Sequence, residues 1–410
     1  MNTEAAASPP SRVADLRATF GWSLLLTLVS WLNVQAGIYL GRRFVDRGPG
    51  YPGYADIDAD LFRFDASHYK SIVDFGYIYN GDPLSGPNIV FAPMFPLLVR
   101  LLSAVSGLNS LAAGFLLNKV LLFCALAFLY LCLGDWIGRR RAVFTLAALV
   151  TAAGSYAFHA YYSESTFLFF LGLSLLGYSR GWWAVTAVAA AALGASRLTG
   201  MPIAAVFAVL LCLRARSAEG AARWRYVAYA LVCFAGAGAY LTVIGVKFGN
   251  PFTLLDTIQR VSWGRFHPDV DWVRLVSGGY LFQYWRDALS RGARTALQIP
   301  TCNLLWTTLG LFAFVYLILA WRRHVLTYVF VPYFLFIYAT NTTSLFLIAA
   351  HRYFTLMIPI FVMFTALHGW LSRRVSPVLA WGLSAVLLLT NCAYGMLHTA
   401  GFNQGAWLWF

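Results

Sequence analysis

The stretch LAAGFLLNKVLLFCALAFLYLCL (residues 111–133) decides the fold class of this chain. Lys119 is its only charged residue. An α-helix needs about 20 predominantly apolar residues to cross the hydrocarbon core of a bilayer. The stretch therefore predicts a transmembrane helix.

Similar apolar runs recur along the chain and predict a bundle of such helices. The further predicted spans are 20–40, 142–160, 165–180, 182–196, 198–213, 226–246, 300–320, 325–340, 353–371 and 376–397. The run 92–107 begins with two prolines and contains Arg100, so we predict a re-entrant or interfacial helix there. We expect an all-α polytopic membrane protein with about eleven transmembrane helices, with residues 1–19 as a cytoplasmic tail and 20–410 as one domain.

The composition supports lipid as the solvent of this chain. Of the 410 residues, 60% are hydrophobic and only 11% are charged, whereas soluble domains carry about 25% charged residues. The net charge of +14 comes from arginines clustered between apolar runs. Such clusters are typical of cytoplasmic loops, and they form no stripe that could follow nucleic acid. The six cysteines lack a CxxC pair and predict no zinc site or disulfide framework.

The basic residues of the short loops define a topology. With the N-terminus in the cytoplasm, every basic cluster in a short loop lies on the cytoplasmic side. These clusters are Arg139 to Arg141, Arg180, Arg214 to Arg225, Arg322-Arg323 and Arg373-Arg374. The two long polar loops, 41–110 and 247–299, are then predicted to lie outside.

Carboxylates are concentrated in the first outer loop, which holds seven aspartates of the sixteen acidic residues in the chain. Asp65, His68 and Tyr69 recur at helical spacing, so one helix face would present a carboxylate, an imidazole and a phenol. This combination suits a general base with hydrogen-bonding neighbours. The alternative is an amphipathic helix at the membrane surface, in which Asp65 only caps the helix or contacts solvent.

Asp56, Asp58 and Asp60 alternate along the same loop and could hold a divalent cation. The glycine and the late glutamate of an EF-hand are missing. A solvated acidic loop therefore explains them as well, and we assign no metal ligand and no cofactor.

Junctions between predicted spans add further candidates on the outer side. Glu164 follows Tyr162-Ser163, Arg197 lies in GASRLTG (194–200), and His351-Arg352 begins a late helix. An arginine at the membrane boundary suits a phosphate ligand. The alternatives are a glutamate favoured by a helix dipole and basic residues that anchor helices at the headgroups.

The second outer loop opens with NPFTLLDTIQRVSWGRF (250–266), which predicts an amphipathic surface helix. It contributes Gln259, Arg260 and Arg265 as substrate-binding candidates.

Several of these segments together resemble the PIG-V family. The family pattern W-D-x-x-H/Y, then I-x-x-x-G-Y, then F-F-P-L-Y-P-L-L-x-R is similar to FDASHY (64–69), Gly76-Tyr77 and FAPMFPLLVR (91–100). Further matches in the same order are Tyr162 to Ser165 with Phe167, Ser196 to Gly200, Pro251 with Gln259 and Trp263, and Arg352-Tyr353. Phe64 replaces the usual tryptophan, which favours a bacterial relative over the eukaryotic enzyme.

The resemblance implies a GT-C glycosyltransferase fold and a reaction at the extracytoplasmic face of a bacterial plasma membrane. The expected donor is a polyprenyl-phosphate sugar, by analogy mannose, and the acceptor is a hydroxyl of a lipid or glycan. Asp65 would be the catalytic base of an inverting reaction. Substrate binding would fall to His68, Tyr69, Glu164, Arg197, Gln259, Arg260, Arg265, His351 and Arg352.

Three alternatives remain open from the sequence. One is a GT-C enzyme that uses another lipid-linked sugar, such as glucose, galactose or aminoarabinose. The second is a transporter or flippase of lipid-linked sugars, although most charged residues here lie at helix ends or in loops rather than at the membrane midplane. The third is a non-catalytic scaffold, which would not explain the acidic loop.

Overall fold

The fold is helical throughout the part of the chain that the structure describes. A computed structural model describes residues 12–46, 59–260, 271–290, 299–342, 347 and 349–405, which form α-helices and short 3-10 turns and no strand. The helices are α1 (Arg12–Phe44), α2 (Ala66–Phe75), α3 (Met94–Ser106), α4 (Ser110–Ile137), α5 (Arg139–Val150), α6 (Glu164–Arg180), α7 (Trp183–Gly194), α8 (Gly200–Arg216), α9 (Gly220–Val232), α10 (Ala235–Phe248), α11 (Thr253–Arg260), α12 (Trp272–Val276), α13 (Gly279–Ser290), α14 (Ile299–Ala320), α15 (Val325–Thr342), α16 (Ala350–Thr355), α17 (Ile358–Leu371) and α18 (Pro377–Gln404). The expected all-α class is confirmed.

Four of these helices, α1, α4, α14 and α18, are long and apolar enough to cross a membrane. The pair α9 and α10 adds a fifth candidate span, bent by 43° at its break. Together with their apolar surfaces, these helices make the chain an integral membrane protein.

Each of the eleven predicted spans contains a helix, but three of them are interrupted. In 142–160 the helix ends at Val150, in 226–246 it breaks between α9 and α10, and in 353–371 it breaks between α16 and α17. Several of the other helices are shorter than a full span. The run 92–107 holds α3, whose 13 residues are too few to cross a bilayer.

The bundle is assembled around the stretch that decides the fold class. Helix α4 packs along α6 and also contacts α1, and α1 packs along α18. Helices α6, α7, α8 and α9 follow one another as packed neighbours. Asn109 begins α4 by accepting a hydrogen bond from the Ala112 backbone, which is the usual role of an N-cap.

The short helices α2 and α3, between α1 and α4, pack against each other and against α4. Arg100 of α3 donates to the Val73 carbonyl at 2.6 Å and to the Ile72 carbonyl at 3.0 Å. Lys247 of α10 donates to the Tyr77 carbonyl at 2.7 Å. These cations lie at the C-terminal end of α2, where the helix dipole favours positive charge. They fix the helix that follows Asp65.

Two glycines of α10 provide a test of the packing between α7 and α10. A Cβ on Gly236 would clash with the backbone carbonyl of Ala191, whereas a Cβ on Gly238 would meet nothing within 4 Å. Gly236→Ala is therefore expected to cost about 1–3 kcal/mol through overpacking. Gly238→Ala should be neutral or stabilising because alanine favours the helix. Thermal unfolding of the two variants in detergent measures the difference, and equal melting temperatures would contradict this packing.

Candidate active site

Asp65 is placed by a strained turn at the start of α2. Phe64 has a φ of 51°, a left-handed conformation that is uncommon for an aromatic residue. Asp65 takes the N-cap position, yet its side chain makes no capping hydrogen bond. Its Oδ2 instead accepts a hydrogen bond from Arg352 Nη1 at 2.9 Å. The carboxylate is thus used for tertiary contacts and not for capping α2, which decides against the capping alternative.

Glu164 lies at the start of α6 and joins two arginines. Its Oε1 accepts hydrogen bonds from Arg352 Nη2 at 2.6 Å and Arg352 Nε at 3.0 Å. Arg197 Nη1 lies 2.7 Å from the same oxygen. We call Asp65, Glu164, Arg197 and Arg352 the ion-pair cluster. It contains two carboxylates and two guanidinium groups, so its formal charge is zero.

The ion-pair cluster is buried, and burial makes its balance energetically important. The Glu164 side chain is 1% exposed, and those of Arg197 and Arg352 are 7% and 8% exposed. Desolvating such ions is costly, and their mutual attraction offsets that cost only when every charge is compensated. A buried constellation of this kind beside a cavity is typical of a functional site.

Aromatic and hydroxyl groups surround the cluster. The Tyr69 hydroxyl lies 2.6 Å from Ser163 Oγ, and Arg197 Nη1 donates to the same Oγ at 3.2 Å. The Arg352 guanidinium lies 4.3 Å from the centre of the Tyr162 ring. The Arg197 guanidinium lies 5.2 Å from the centre of the Tyr353 ring. Both arginines therefore gain cation–π attraction, which favours these positions of their guanidinium groups.

His68 and Tyr69 are the two buried side chains of α2 that could offer hydrogen bonds to a ligand. The imidazole of His68 stacks on Phe91 with ring centres 4.6 Å apart. Burial lowers the pKa of His68, although the nearby Asp65 acts in the opposite direction. Burial raises the pKa of the Tyr69 phenol far above its usual value. At neutral pH both side chains are uncharged, so they contribute hydrogen bonds and shape rather than charge.

His351 lies on a different side of α16 from Arg352. Its backbone nitrogen and Nδ1 both face Asn303 Oδ1, at 3.0 Å and 2.7 Å, and its Nε2 lies 3.1 Å from the Tyr156 hydroxyl. Asn303 Oδ1 is an acceptor, so Nδ1 donates and Nε2 accepts from the tyrosine. These bonds hold His351 behind the cluster, where it supports the helix that carries Arg352.

A partly open cavity lies beside the ion-pair cluster. Its volume is about 90 Å³, and one water needs about 10–15 Å³ on this measure, so it can take a polar group several waters in size. Polar residues line one part of it: Asp65, Tyr69, Arg197, Thr199, Thr340, Asn341 and Tyr353. Apolar residues line the rest: Val90, Phe91, Ala92, Leu198, Ile258, Phe336 and Ile337. Among the described residues, those lining the cavity include neither Arg352 nor His351.

For the remaining predicted site residues, the structure describes the backbone only or nothing at all. The backbone of α11 includes Gln259 and Arg260, but their side chains and the whole of Arg265 lie outside the described residues. Asp56 and Asp58 also lie outside them, and Asp60 pairs with Arg42 at 2.7 Å. Within the described ranges, no group of three or more His, Cys, Asp or Glu side chains could hold a metal ion.

Asn118 and Asn303, which were not among the predicted site residues, support the ion-pair cluster. Asn118, inside the apolar stretch of α4, donates to the carbonyls of Ala160 at 2.5 Å and Tyr162 at 3.0 Å. It thereby holds the turn that leads into Ser163 and Glu164. An amide within an otherwise apolar span is a recognisable signal, because a buried polar group needs a partner. Asn303 in α14 gives the same signal and holds His351.

The sequence matches no protein-family model and no curated protein. Among solved structures, the chain is similar to ArnT from Cupriavidus metallidurans bound to undecaprenyl phosphate, with 15% identity, a TM-score of 0.45, and coverage of 94% of this chain and 78% of that one. ArnT in the apo state gives 14% identity, a TM-score of 0.48, and coverage of 95% and 78%. The oligosaccharyltransferase AglB of Archaeoglobus fulgidus, in complex with an inhibitory peptide and a dolichol-phosphate, gives 14% identity and a TM-score of 0.46. The match covers 94% of this chain and 56% of that one.

Proposed function

We propose that this chain is a membrane glycosyltransferase of the GT-C type. It transfers a hexose, with mannose as the first candidate, from a polyprenyl-phosphate sugar to a hydroxyl of a lipid or glycan acceptor. The site would face the extracytoplasmic side of a bacterial plasma membrane. The single observation that carries the proposal is the buried ion-pair cluster, two members of which, Asp65 and Arg197, line a cavity with both polar and apolar walls.

The proposed reaction is a single displacement at the anomeric carbon. The Asp65 carboxylate takes the proton of the acceptor hydroxyl as the oxygen bonds to C1 of the sugar. The bond between C1 and the phosphate oxygen breaks, and the electron pair leaves with the polyprenyl phosphate. Attack on the face opposite the leaving group inverts the configuration. Positive charge near the phosphate stabilises the charge that develops on the leaving oxygen.

The members of the cluster take different roles in this proposal. Arg197 lines the cavity, and we assign it the contact with the donor phosphate. Arg352 donates hydrogen bonds from Nε and Nη2 to Glu164 and from Nη1 to Asp65. We therefore assign Arg352 to holding the two carboxylates, in place of the direct phosphate contact expected from the sequence. Glu164 orients both guanidinium groups.

A donor panel tests the proposal and separates it from the alternatives. The protein is reconstituted in vesicles with native lipids and given polyprenyl phosphates that carry mannose, glucose, galactose or aminoarabinose. We expect the mannose donor to be consumed fastest, with release of polyprenyl phosphate. Fastest release from another donor would reassign the sugar. Movement of an intact donor across the vesicle membrane, without cleavage at C1, would instead identify a flippase.

A further inference from the structure

The N-terminal end of α8 lies at the cavity and has features of an anion site. Thr199 is the N-cap of this 17-residue helix, yet its hydroxyl makes no capping hydrogen bond. The N–H groups of Gly200 and Met201 already donate to the carbonyls of Arg197 at 2.9 Å and Leu198 at 3.2 Å, and Pro202 has no N–H. What the start of α8 offers an anion is therefore the positive end of the helix dipole. Both Thr199 and Arg197 line the cavity.

Two hydrogen-bonding atoms at this point lack a partner within the described part of the chain. They are Arg197 Nε and Thr199 Oγ1, on side chains that belong to residues 7% and 5% exposed. A buried donor without an acceptor costs free energy, and most buried polar groups are paired. Both side chains border the cavity, so a ligand that enters it and displaces the atoms covering Nε and Oγ1 would supply the missing partner.

The charge balance identifies the kind of acceptor. Arg197 offers its Nη1 to Glu164 and Ser163, while its Nε has no partner among the described residues. The ion-pair cluster is formally neutral, and the start of α8 adds partial positive charge beside it. A singly charged phosphate diester fits this setting, since it brings several acceptor oxygens. The apolar wall formed by Ile258, Phe336 and Ile337 suits an adjoining hydrocarbon.

We propose that Thr199 Oγ1 and Arg197 Nε together bind the phosphate of the ligand, beside the positive end of the α8 dipole. Thr199 is the new binding residue in this assignment. The proposal rests on the proposed function in one respect: the phosphate is taken to be that of the polyprenyl donor. The same oxygens also occur in free phosphate, so the test must separate the two sources.

The test measures ligand binding, without turnover, to the purified full chain in detergent. The ligands are polyprenyl phosphate, inorganic phosphate and uncharged polyprenol. Thr199→Val removes the hydroxyl while keeping the shape of the side chain, and Thr199→Ser keeps the hydroxyl. We expect the valine variant to bind polyprenyl phosphate about tenfold more weakly or worse, which is the loss of one hydrogen bond to a charged group. The serine variant should bind like the wild type.

Thr166 provides a matched control. Its hydroxyl is also buried and, among the described residues, also lacks a partner, but Thr166 lies in α6 and is not among the residues that line the cavity. Thr166→Val should leave the affinity unchanged. The assignment fails if Thr199→Val binds polyprenyl phosphate like the wild type, or if Thr166→Val loses as much affinity.

The ligand arms separate this assignment from the proposed function. If inorganic phosphate binds and Thr199→Val weakens it, while polyprenyl phosphate does not bind, the anion site is supported and the lipid donor is wrong. If polyprenol binds as tightly as polyprenyl phosphate in every variant, the apolar wall alone holds the ligand and the assignment of Thr199 is wrong.

Discussion

Replacing Asp65 by asparagine is expected to abolish sugar transfer in a protein that still folds and inserts, with a lower melting temperature because the ion-pair cluster then carries one positive charge in excess. An amide cannot accept the proton of the acceptor hydroxyl, and a positioned base contributes about 10²–10⁴-fold to the rate. The asparagine oxygen can still accept the hydrogen bond that Arg352 Nη1 now gives to Asp65 Oδ2 at 2.9 Å. The measurement is the initial rate of polyprenyl phosphate release from the preferred donor.

Asp74 offers a control on the same helix. It lies in α2, where it pairs with Lys70 at 2.5 Å, and it does not line the cavity described above. Asp74→Asn should keep nearly full activity and nearly the same melting temperature, since pairs at i,i+4 contribute only a few tenths of a kcal/mol. Full turnover by Asp65→Asn would remove Asp65 from the mechanism, whatever the control does.

The sequence predicted the helices because their signal is local. A run of about 20 apolar residues forms a membrane helix wherever it lies in the chain. It could not predict the breaks after Val150 or between α16 and α17, because these depend on contacts between helices. Gly154, for example, donates its backbone N–H to the Thr355 hydroxyl at 3.2 Å. No sequence pattern in either segment predicts that contact.

The members of the site were also predictable, but not their partners. Glu164, Arg197 and Arg352 each stand out as a charged residue at the end of an apolar run, and Asp65 stands out by its helical spacing with His68 and Tyr69. Asp65 and Arg352 are 287 positions apart, so only the folded chain shows that they form an ion pair. A phosphate contact was expected for both arginines because the sequence does not reveal the carboxylates that already engage Arg352.

The prediction for His351 overlooked a rule of helix geometry. Adjacent residues on a helix do not face each other, so His351 and Arg352 could hardly reach the same ligand from a short helix. The structure directs Arg352 toward Asp65 and Glu164 and directs His351 toward Asn303 and Tyr156. The separation of the two side chains was therefore predictable in principle, whereas their partners were not.

The largest expected effect on stability comes from breaking the ion-pair cluster. Arg352→Met would leave Asp65 and Glu164 with Arg197 as the remaining cation of the cluster, in a setting where the Glu164 side chain is 1% exposed. Removing one partner of a buried ion pair costs about 3–5 kcal/mol, because a desolvated charge loses its compensation. We expect a large fall in the melting temperature in detergent, together with loss of transfer.

The ion-pair cluster also predicts that the stability losses from substitutions at two of its positions are not additive. Glu164→Gln alone leaves an excess of positive charge and Arg352→Met alone an excess of negative charge, while the double variant restores a formal balance between Asp65 and Arg197. Residues in one ion-pair network couple by about 0.5–3 kcal/mol, so the double variant should lose less stability than the two single losses added together.

Arg42→Met is the matched control, because Arg42 pairs with Asp60 with side chains 64% and 34% exposed, and such surface pairs contribute about 0–1 kcal/mol. Strict additivity in the double variant, or an equal loss in Arg42→Met, would mean that Glu164 and Arg352 do not act as a coupled buried pair.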